Sequence, residues 1–345
     1  MSVARWIRRL CLAGLLLCFA VVVLGAYVRL TAAGLGCPDW PGCYGQLSPP
    51  GAEQSAAALP AYPGRALDAG KAWREMIHRY AAGTLAAIIV LITVLALTAR
   101  RARVVSVPLV LALFATVLVQ ALLGMLTVTW QLKPLIVTAH LLFGMTTLAL
   151  LWWLTLSLPR SSWGSTALHS AGRAISGGGA SPLAHAQLLA LLGLGALLLQ
   201  IALGGWTSSN YAAIACPDFP TCQGVWWPHA DFRQGFALWH GLNIDYEGGV
   251  LDNPSRIAID LAHRLSALLA AIVLGLAALY VLRRRGFAGA RRWAWALLAA
   301  LALQLAIGVS MVLRGFPLWL ATLHTAGAAL LLLATLALLR SLSAR

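Results

Sequence analysis

Acidic residues are scarce in this sequence. Of its 345 residues only 10 are Asp or Glu, against 25 Lys and Arg, and charged residues make up 10% of the chain. Soluble domains carry about a quarter charged residues, so this composition excludes an ordinary soluble protein. The deficit of charge accompanies 60% hydrophobic residues, which are gathered in long runs.

The apolar runs predict eight membrane-spanning helices. A membrane helix needs about 20 predominantly apolar residues, and the length of these runs and their lack of alternating polarity favour helices over barrel strands. The expected fold class is therefore all-α, a polytopic membrane protein. The first run follows a basic flank like a signal peptide, but it is long and no clean cleavage site follows, so we keep it as a span. The predicted spans are 10–30, 76–98, 106–129, 134–158, 184–206, 256–281, 291–313 and 317–339.

No acidic residue falls in the connections that would face the cytoplasm if the N-terminus lies there. An excess of Lys and Arg in short inner loops sets orientation. We therefore expect both termini in the cytoplasm, the loops 31–75 and 207–255 on the outer side, and a bacterial inner (cell) membrane. This distribution accounts for the net charge of +15 without nucleic-acid binding. The inner basic residues are Arg5, Arg8, Arg9, Arg100, Arg101, Arg103, Arg160, Arg173, Arg283, Arg284, Arg285, Arg291, Arg292, Arg340 and Arg345.

Cysteine occurs six times. Cys11 and Cys18 fall inside the first helix, where a lone cysteine is usually a small buried hydrophobe. The other four form two similar loops outside, CPDWPGC at 37–43 and CPDFPTC at 216–222. Disulfides persist in an oxidising compartment, whereas the spacing is not the usual one for the alternative, a metal site. The predicted disulfides are Cys37–Cys43 and Cys216–Cys222.

The cysteine loop is one of several features that occur twice, which indicates an internal duplication. Gln120 and Gln304 are 184 residues apart, and the histidines described below repeat at nearly the same interval. Four helices per copy give both copies one orientation, so we predict two parallel-repeat four-helix bundles. The predicted domains are an N-terminal repeat 1–158, a Ser- and Gly-rich cytoplasmic linker 159–183 and a C-terminal repeat 184–345.

Four histidines occupy matched places near the outer ends of predicted helices. A helix rises about 1.5 Å per residue, which puts all four at one depth in the outer leaflet. Helical bundles hold haem by an axial imidazole from each of two helices. The alternative is a satisfied core histidine, but ionisable residues within spans are costly and usually functional. The four are His78, His140, His263 and His324. The remaining histidines, without repeat partners, are read as ordinary: His169, His185, His229 and His240.

Glu75 stands three residues before His78 and therefore on the same helix face. A carboxylate one turn from a haem ligand could act as acid, base or orienter. The alternatives are a helix N-terminal acid and an ion-pair partner of Arg74 or Arg79. Asp260 occupies the matching position in the second repeat.

Arg79 and Arg264 follow their histidines directly. Arg matches carboxylates in a bidentate fork, so we expect the two side chains to pair with haem propionates. Interfacial snorkelling is the alternative.

Three segments, together with the four histidines, resemble the haem A synthase family over essentially the whole chain. The segments are RLTAAGLGCPDWPGC from Arg29, EMIHR from Glu75 and DYEGGVLDNPSRIAI from Asp245. The resemblance implies oxidation of the C8 methyl of haem O to a formyl group, through successive hydroxylations. We expect water to be the oxygen source, because water can capture the cation that forms when the methyl group loses electrons and a proton. It also implies a substrate haem in the N-terminal half and a haem b in the C-terminal half.

Residue by residue, the resemblance assigns Glu75 as the catalytic carboxylate and Asp260 to the half without oxidation chemistry. It makes the Cys37–Cys43 loop pair redox-active and the Cys216–Cys222 pair structural, although some members of the family lack these cysteines. The implied haem ligands are His78 and His140 for the substrate haem, and His263 and His324 for haem b.

The implied partners are haem O, the farnesyltransferase that makes it (haem O synthase), oxidase assembly factors and membrane lipid; a homo-oligomer is left open, and no nucleic acid is expected. One rival reading is a haem b electron-transfer cytochrome without porphyrin turnover, which leaves Glu75 and the cysteine loops without a role. A transporter is the other rival, since parallel repeats are common there. The predicted helices contain few Pro or Gly breaks, and this scarcity disfavours a transporter.

Overall fold

The computed structural model describes residues 3–49, 51, 67–100, 105–158, 181–241 and 244–343. Over these ranges the chain contains eight long helices and no strand, so the all-α prediction is confirmed. A four-residue helix, Phe232–Gly235, and the short 3₁₀ segments Ala213–Ala215 and Arg285–Ala290 lie between them. The long helices are α1 Val3–Leu30, α2 Ala69–Thr98, α3 Val107–Thr129, α4 Pro134–Ser157, α5 Pro182–Ser209, α6 Asn253–Arg283, α7 Arg291–Leu313 and α8 Leu318–Ser343.

All eight helices are long and apolar enough to cross a membrane, which confirms the predicted number of spans. Four of them begin earlier than predicted: α1 at residue 3 rather than 10, α2 at 69 rather than 76, α5 at 182 rather than 184 and α6 at 253 rather than 256. Aspartates cap α2 and α6. Asp68 accepts the N–H of Lys71 and Asp252 that of Ser255, each at 3.0 Å, and such caps satisfy the unpaired donors of a first turn. The hydropathy pattern missed these turns because they are polar.

The helices form two rings of four. In the first ring α1 and α3 each pack against α2 and α4, and in the second α5 and α7 each pack against α6 and α8. The rings meet where α1 and α4 contact α8 and where α4 contacts α5. The duplication and the domains 1–158 and 184–345 stay predictions. Most of the predicted linker, 159–180, lies outside the described residues, whereas Ser181 caps α5.

A large apolar core fills one end of both rings. It extends from Ile7 to Cys18 on α1 and from Leu85 to Ala96 on α2, and continues through the corresponding ends of the other helices. Beyond it the helices are less tightly enclosed: residues 21–27 of α1 and 307–312 of α7 are all half-buried. The four histidines lie at this more open level. The core therefore fixes the rings at one end and leaves the interior near the histidines less filled.

The cysteine loops fold alike. Both cysteine pairs lie at disulfide-bond distance, with Cα atoms 4.7 Å and 4.6 Å apart, within the normal range. The predicted pairing is thus confirmed, and Cys11 and Cys18 are free and buried as predicted.

An aspartate holds the turn after the second cysteine of each loop. Asp39 accepts the backbone N–H groups of Tyr44 and Gly45 at 2.7 Å and 2.8 Å. Asp218 likewise accepts those of Gln223 and Gly224 at 2.6 Å and 2.9 Å. The hydroxyl of Thr221 also donates to Asp218, and this bond, with that from Gly224, lowers the pKa of Asp218 below its ordinary value.

Candidate functional site

The four histidines lie on alternate helices, one on each of α2, α4, α6 and α8, and all are half-buried. In the second ring the imidazole centroids of His263 and His324 are 6.5 Å apart, with the ring planes at 76°. Metal–imidazole bonds of about 2 Å put the centroids of two rings that share one metal ion about 6 Å apart. The spacing of this pair therefore suits axial ligation of one haem iron.

A glycine of the preceding helix supports each imidazole. A Cβ atom added at any of the four glycines would fall 3.0–3.3 Å from Cε1 of the histidine. Any larger residue there would push the ring aside. The pairs are Gly25–His78, Gly124–His140, Gly204–His263 and Gly308–His324.

Glutamine side chains contact three of the four histidines. The amide nitrogen of Gln120 is 3.4 Å from a ring nitrogen of His140. The closest such distances are 3.1 Å from Gln200 to His263 and 3.3 Å from Gln304 to His324. Sequence reasoning used Gln120 and Gln304 only as markers of the duplication, and it missed Gln200. The signal that could have found them is the spacing Q-x-x-x-G, which occurs in α3, α5 and α7.

The first ring differs at this position. The matching segment of α1 reads VVVLG, with Val21 four residues before Gly25. Within the described part of the chain, His78 makes no hydrogen bond, and its Nδ1 is buried without a partner. Three histidines therefore have a glutamine neighbour on the adjacent helix, whereas the matching position of α1, beside His78, is valine.

A guanidinium ties Glu75 to the first cysteine loop. Glu75 is buried in α2, and its Oε1 accepts the Nε–H of Arg79 at 2.9 Å. Nη1 of Arg79 donates to the carbonyl oxygens of Asp39, at 2.8 Å, and Gly42. Nη2 is buried without a partner among the described residues, which leaves a donor for the predicted propionate.

In the second ring Arg264 makes the corresponding contacts, with Asp260 in place of the longer glutamate. Nε of Arg264 lies 2.8 Å from Oδ2 of Asp260. Its Nη1 donates to the carbonyl oxygens of Asp218 and Thr221, each at 2.8 Å, and its Nη2 to that of Cys216, also at 2.8 Å. Sequence reasoning did not foresee that either arginine binds its cysteine loop.

Contacts near the predicted outer ends join the two rings. Arg29, at the end of α1, donates to the carbonyl oxygens of Ser208 and Ser209 at 2.8 Å and 3.3 Å. Its guanidinium lies 4.2 Å from the ring centroid of Tyr211. Sequence reasoning quoted Arg29 only within a motif and missed this role.

The outer loop of the second half also packs on the turn between α3 and α4. Buried Lys133 donates to the carbonyl of Gly241 at 2.9 Å, and the N–H of Tyr246 donates to the carbonyl of Gln131 at 3.1 Å. The loop of one half therefore covers part of the other. Among the histidines read as ordinary, His169 lies outside the described residues, His185 and His229 are exposed and His240 is half-buried.

Comparison with known proteins identifies the family. The model of the COX15-CtaA family, described as cytochrome oxidase assembly protein, matches residues 8–336. The chain belongs to the COX15-CtaA family. A protein from Shewanella oneidensis named Heme A synthase is 39% identical to this COX15-CtaA chain over 335 residues, which cover 95% of the chain and 93% of the relative.

More distant relatives carry the same name. A Heme A synthase from Caulobacter vibrioides is 29% identical over 91% of this COX15-CtaA chain and 89% of its own length. A Heme A synthase from Granulibacter bethesdensis is 26% identical over 99% of this chain and 87% of its own length. The resemblance read from the sequence motifs is thus confirmed at the level of the family.

Proposed function

We propose that this chain is a haem A synthase, a membrane oxidoreductase that converts haem O into haem A. The observation that carries the proposal is the 39% identity to a protein of that name over nearly the full length of both chains. The proposal is also supported by the four histidines, each of which packs against a glycine of the preceding helix in one of the two rings. Haem b electron transfer without porphyrin turnover remains the second candidate, because the His263–His324 spacing alone suits it equally well.

The reaction converts the C8 methyl group of haem O to a formyl group in two oxidations. Each oxidation removes two electrons and two protons and adds one water oxygen, and the resulting geminal diol then loses water to give the aldehyde. In total, one methyl group and one water molecule are converted into one formyl group, four protons and four electrons. The site must therefore admit water, accept protons and pass electrons onward.

The first ring would bind the substrate. His78 and His140 flank the haem O, and Nη2 of Arg79, buried without a partner among the described residues, is available for a propionate. The second ring would hold haem b between His263 and His324, with Arg264 near its propionates. When bound, haem b supplies one-electron transfer.

Glu75 would take the proton from the water that adds to the oxidised methyl carbon. Its carboxylate is buried one turn from His78 and fixed by Arg79 through one oxygen. Within the described residues the other oxygen, Oε2, makes no hydrogen bond, so it can accept one from water. General bases act at hydrogen-bond distance from the proton that they remove. Asp260 is shorter by a methylene, and we assign it no proton transfer.

The proposal includes a location and partners. The excess of arginine in the predicted inner segments places both termini in the cytoplasm and the cysteine loops on the outer side of a bacterial cell membrane. Haem O is too apolar to diffuse through water. We therefore expect direct transfer from haem O synthase, and delivery of haem A to oxidase assembly factors.

Pigment extraction tests the function. The full chain is co-expressed with a haem O-producing enzyme, purified, and its haems B, O and A are separated by chromatography. We expect haem A or a hydroxylated haem O beside haem B. Haem B alone, at two equivalents and unchanged after incubation with haem O, would overturn the enzyme in favour of the cytochrome, and a purified chain without any haem would favour a transporter.

The same measurement tests Glu75. E75Q should retain haems O and B and form no haem A, whereas the matched variant D260N should still form it. Full conversion by Glu75→Ala would show that the carboxylate is not required.

A further inference from the structure

Three of the four histidines have a glutamine neighbour, and the exception is in the proposed substrate site. Gln200 lies four residues before the glycine that supports His263, so both residues are on the helix face toward that ring. Val21 stands at the same place relative to Gly25 and His78. The face of α1 toward His78 is therefore aliphatic where the other three are polar.

The difference bears on how firmly each histidine is held. A metal-binding histidine usually gives its second ring N–H to an acceptor, which fixes the orientation of the ring, and loss of that acceptor weakens metal binding about 10- to 100-fold. In all three glutamines Oε1 is buried without a partner. The amide nitrogens of Gln200 and Gln304 lie 3.1–3.4 Å from both nitrogens of their imidazoles and therefore over the ring face, and Nε2 of Gln304 also donates to the carbonyl oxygen of His324. Because a ring N–H lies in the ring plane, Oε1 would accept it once both the amide and the imidazole have turned. Valine offers no acceptor.

We propose that Val21 makes His78 the releasable haem ligand of the first ring. The inference rests on the proposed function and extends it. In the first ring one histidine is held by Gln120 and the other is free to leave, whereas in the second ring Gln200 and Gln304 hold both. Haem O can then enter, and haem A leave, by release of His78, while haem b stays bound.

Val21→Gln tests the proposal directly. The full chain carrying H263A and H324A, so that only the first ring binds, is loaded with haem B, and its transfer to excess apomyoglobin is followed by absorption. We expect V21Q to slow the transfer about tenfold and to lower the high-spin, five-coordinate fraction in the electron paramagnetic resonance spectrum. Val23→Gln is the matched control, since position 23 lies about 200° around α1 from position 21.

The reverse substitution provides a second test, which applies if V21Q or the chain carrying both H263A and H324A fails to fold. In the otherwise native chain loaded with haem B, Gln200→Val should speed the loss of one haem equivalent about tenfold. Equal transfer rates and spectra for V21Q and the parent chain, or no effect of Q200V, would overturn the proposal. Haem B transfer requires no turnover, so this result stands apart from the search for haem A.

Discussion

Arg79 binds the carboxylate of Glu75 through Nε at 2.9 Å and the first cysteine loop through Nη1. One guanidinium thus connects the proposed catalytic acid to a loop about 35 residues earlier in the chain, a connection of the kind that a planar, five-donor side chain can make. The position of Glu75 therefore depends on how that loop is folded.

Arg79→Lys should disturb this connection and leave the histidines in place. An ammonium group cannot reproduce the planar fork, and hydrogen bonds to charged groups are worth about 1.5–3 kcal/mol. We expect the ratio of haem A to haem B in extracted pigment to fall about tenfold or more, with haem O retained. Arg74→Lys, on the same helix, is the control. An unchanged ratio in R79K would show that the tie does not position Glu75.

Replacement of Cys37 and Cys43 by serine should weaken the loop without abolishing the reaction. Closing a loop of this length contributes about 2 kcal/mol, and Asp39 and Arg79 still hold the loop by hydrogen bonds. We expect a lower thermal unfolding temperature and reduced but measurable haem A formation. Complete loss of haem A with unchanged haem content would instead indicate that the cysteine pair takes part in electron transfer.

The second cysteine loop should open in acid. Hydrogen bonds from Thr221 and Gly224 lower the pKa of Asp218. A lowered pKa in the folded state means that the stabilisation is complete above the ordinary aspartate value, about 3.9, and is lost as the pH falls through the lowered value. Protection of the Gly224 amide in hydrogen exchange, corrected for intrinsic rate, should therefore be constant from about pH 7 to 4 and decline below. In D218N the protection should not vary with pH over this range, and the same decline there would assign the effect to another group.

Gly25→Ala should displace His78. The added Cβ would lie 3.0 Å from the imidazole, a distance that forces the ring to move. We expect the purified chain to lose the haem of the first ring and keep that of the second, measured as haem equivalents per chain. Gly83→Ala is the control, because nothing lies within 4 Å of a Cβ there. Equal haem content in the two variants would contradict the supporting role of Gly25.

Arg29→Ala should loosen the two rings. The variant loses two hydrogen bonds to the end of α5 and the contact with Tyr211. With a protease site inserted in 159–180, the cleaved halves of the parent chain should co-purify, and those of R29A should separate at least about tenfold more readily. Identical behaviour would show that the apolar contacts among α1, α4, α5 and α8 hold the rings without this arginine.

Much of the fold was predictable because membrane helices are encoded by local hydropathy. The predicted starts of α2 and α6 were late because Asp68 and Asp252 begin these helices in polar sequence that a hydropathy reading passes over. The cysteine pairs were predictable because their partners are close in the chain and lie in repeated motifs.

The candidate site was predictable only in part. The matched histidines could be found from their spacing. Their glycine and glutamine neighbours lie on other helices, and the sequence of one helix does not specify which helix packs against it. The contact of Arg79 with the first cysteine loop depends on the tertiary fold of that loop, which no local pattern specifies. The roles of the histidines, Glu75 and the arginines stay predictions.

The glycine beneath each imidazole has a further consequence for how these sites respond to change. Because each imidazole packs directly against the backbone of the neighbouring helix at a glycine, the imidazole acts as a spacer that sets the distance between those two helices. Replacement of a histidine by a smaller residue would then remove this spacer as well as a proposed haem ligand, and the two helices could move closer together. The width of the proposed haem site in each ring would in this sense be a property of the helix packing.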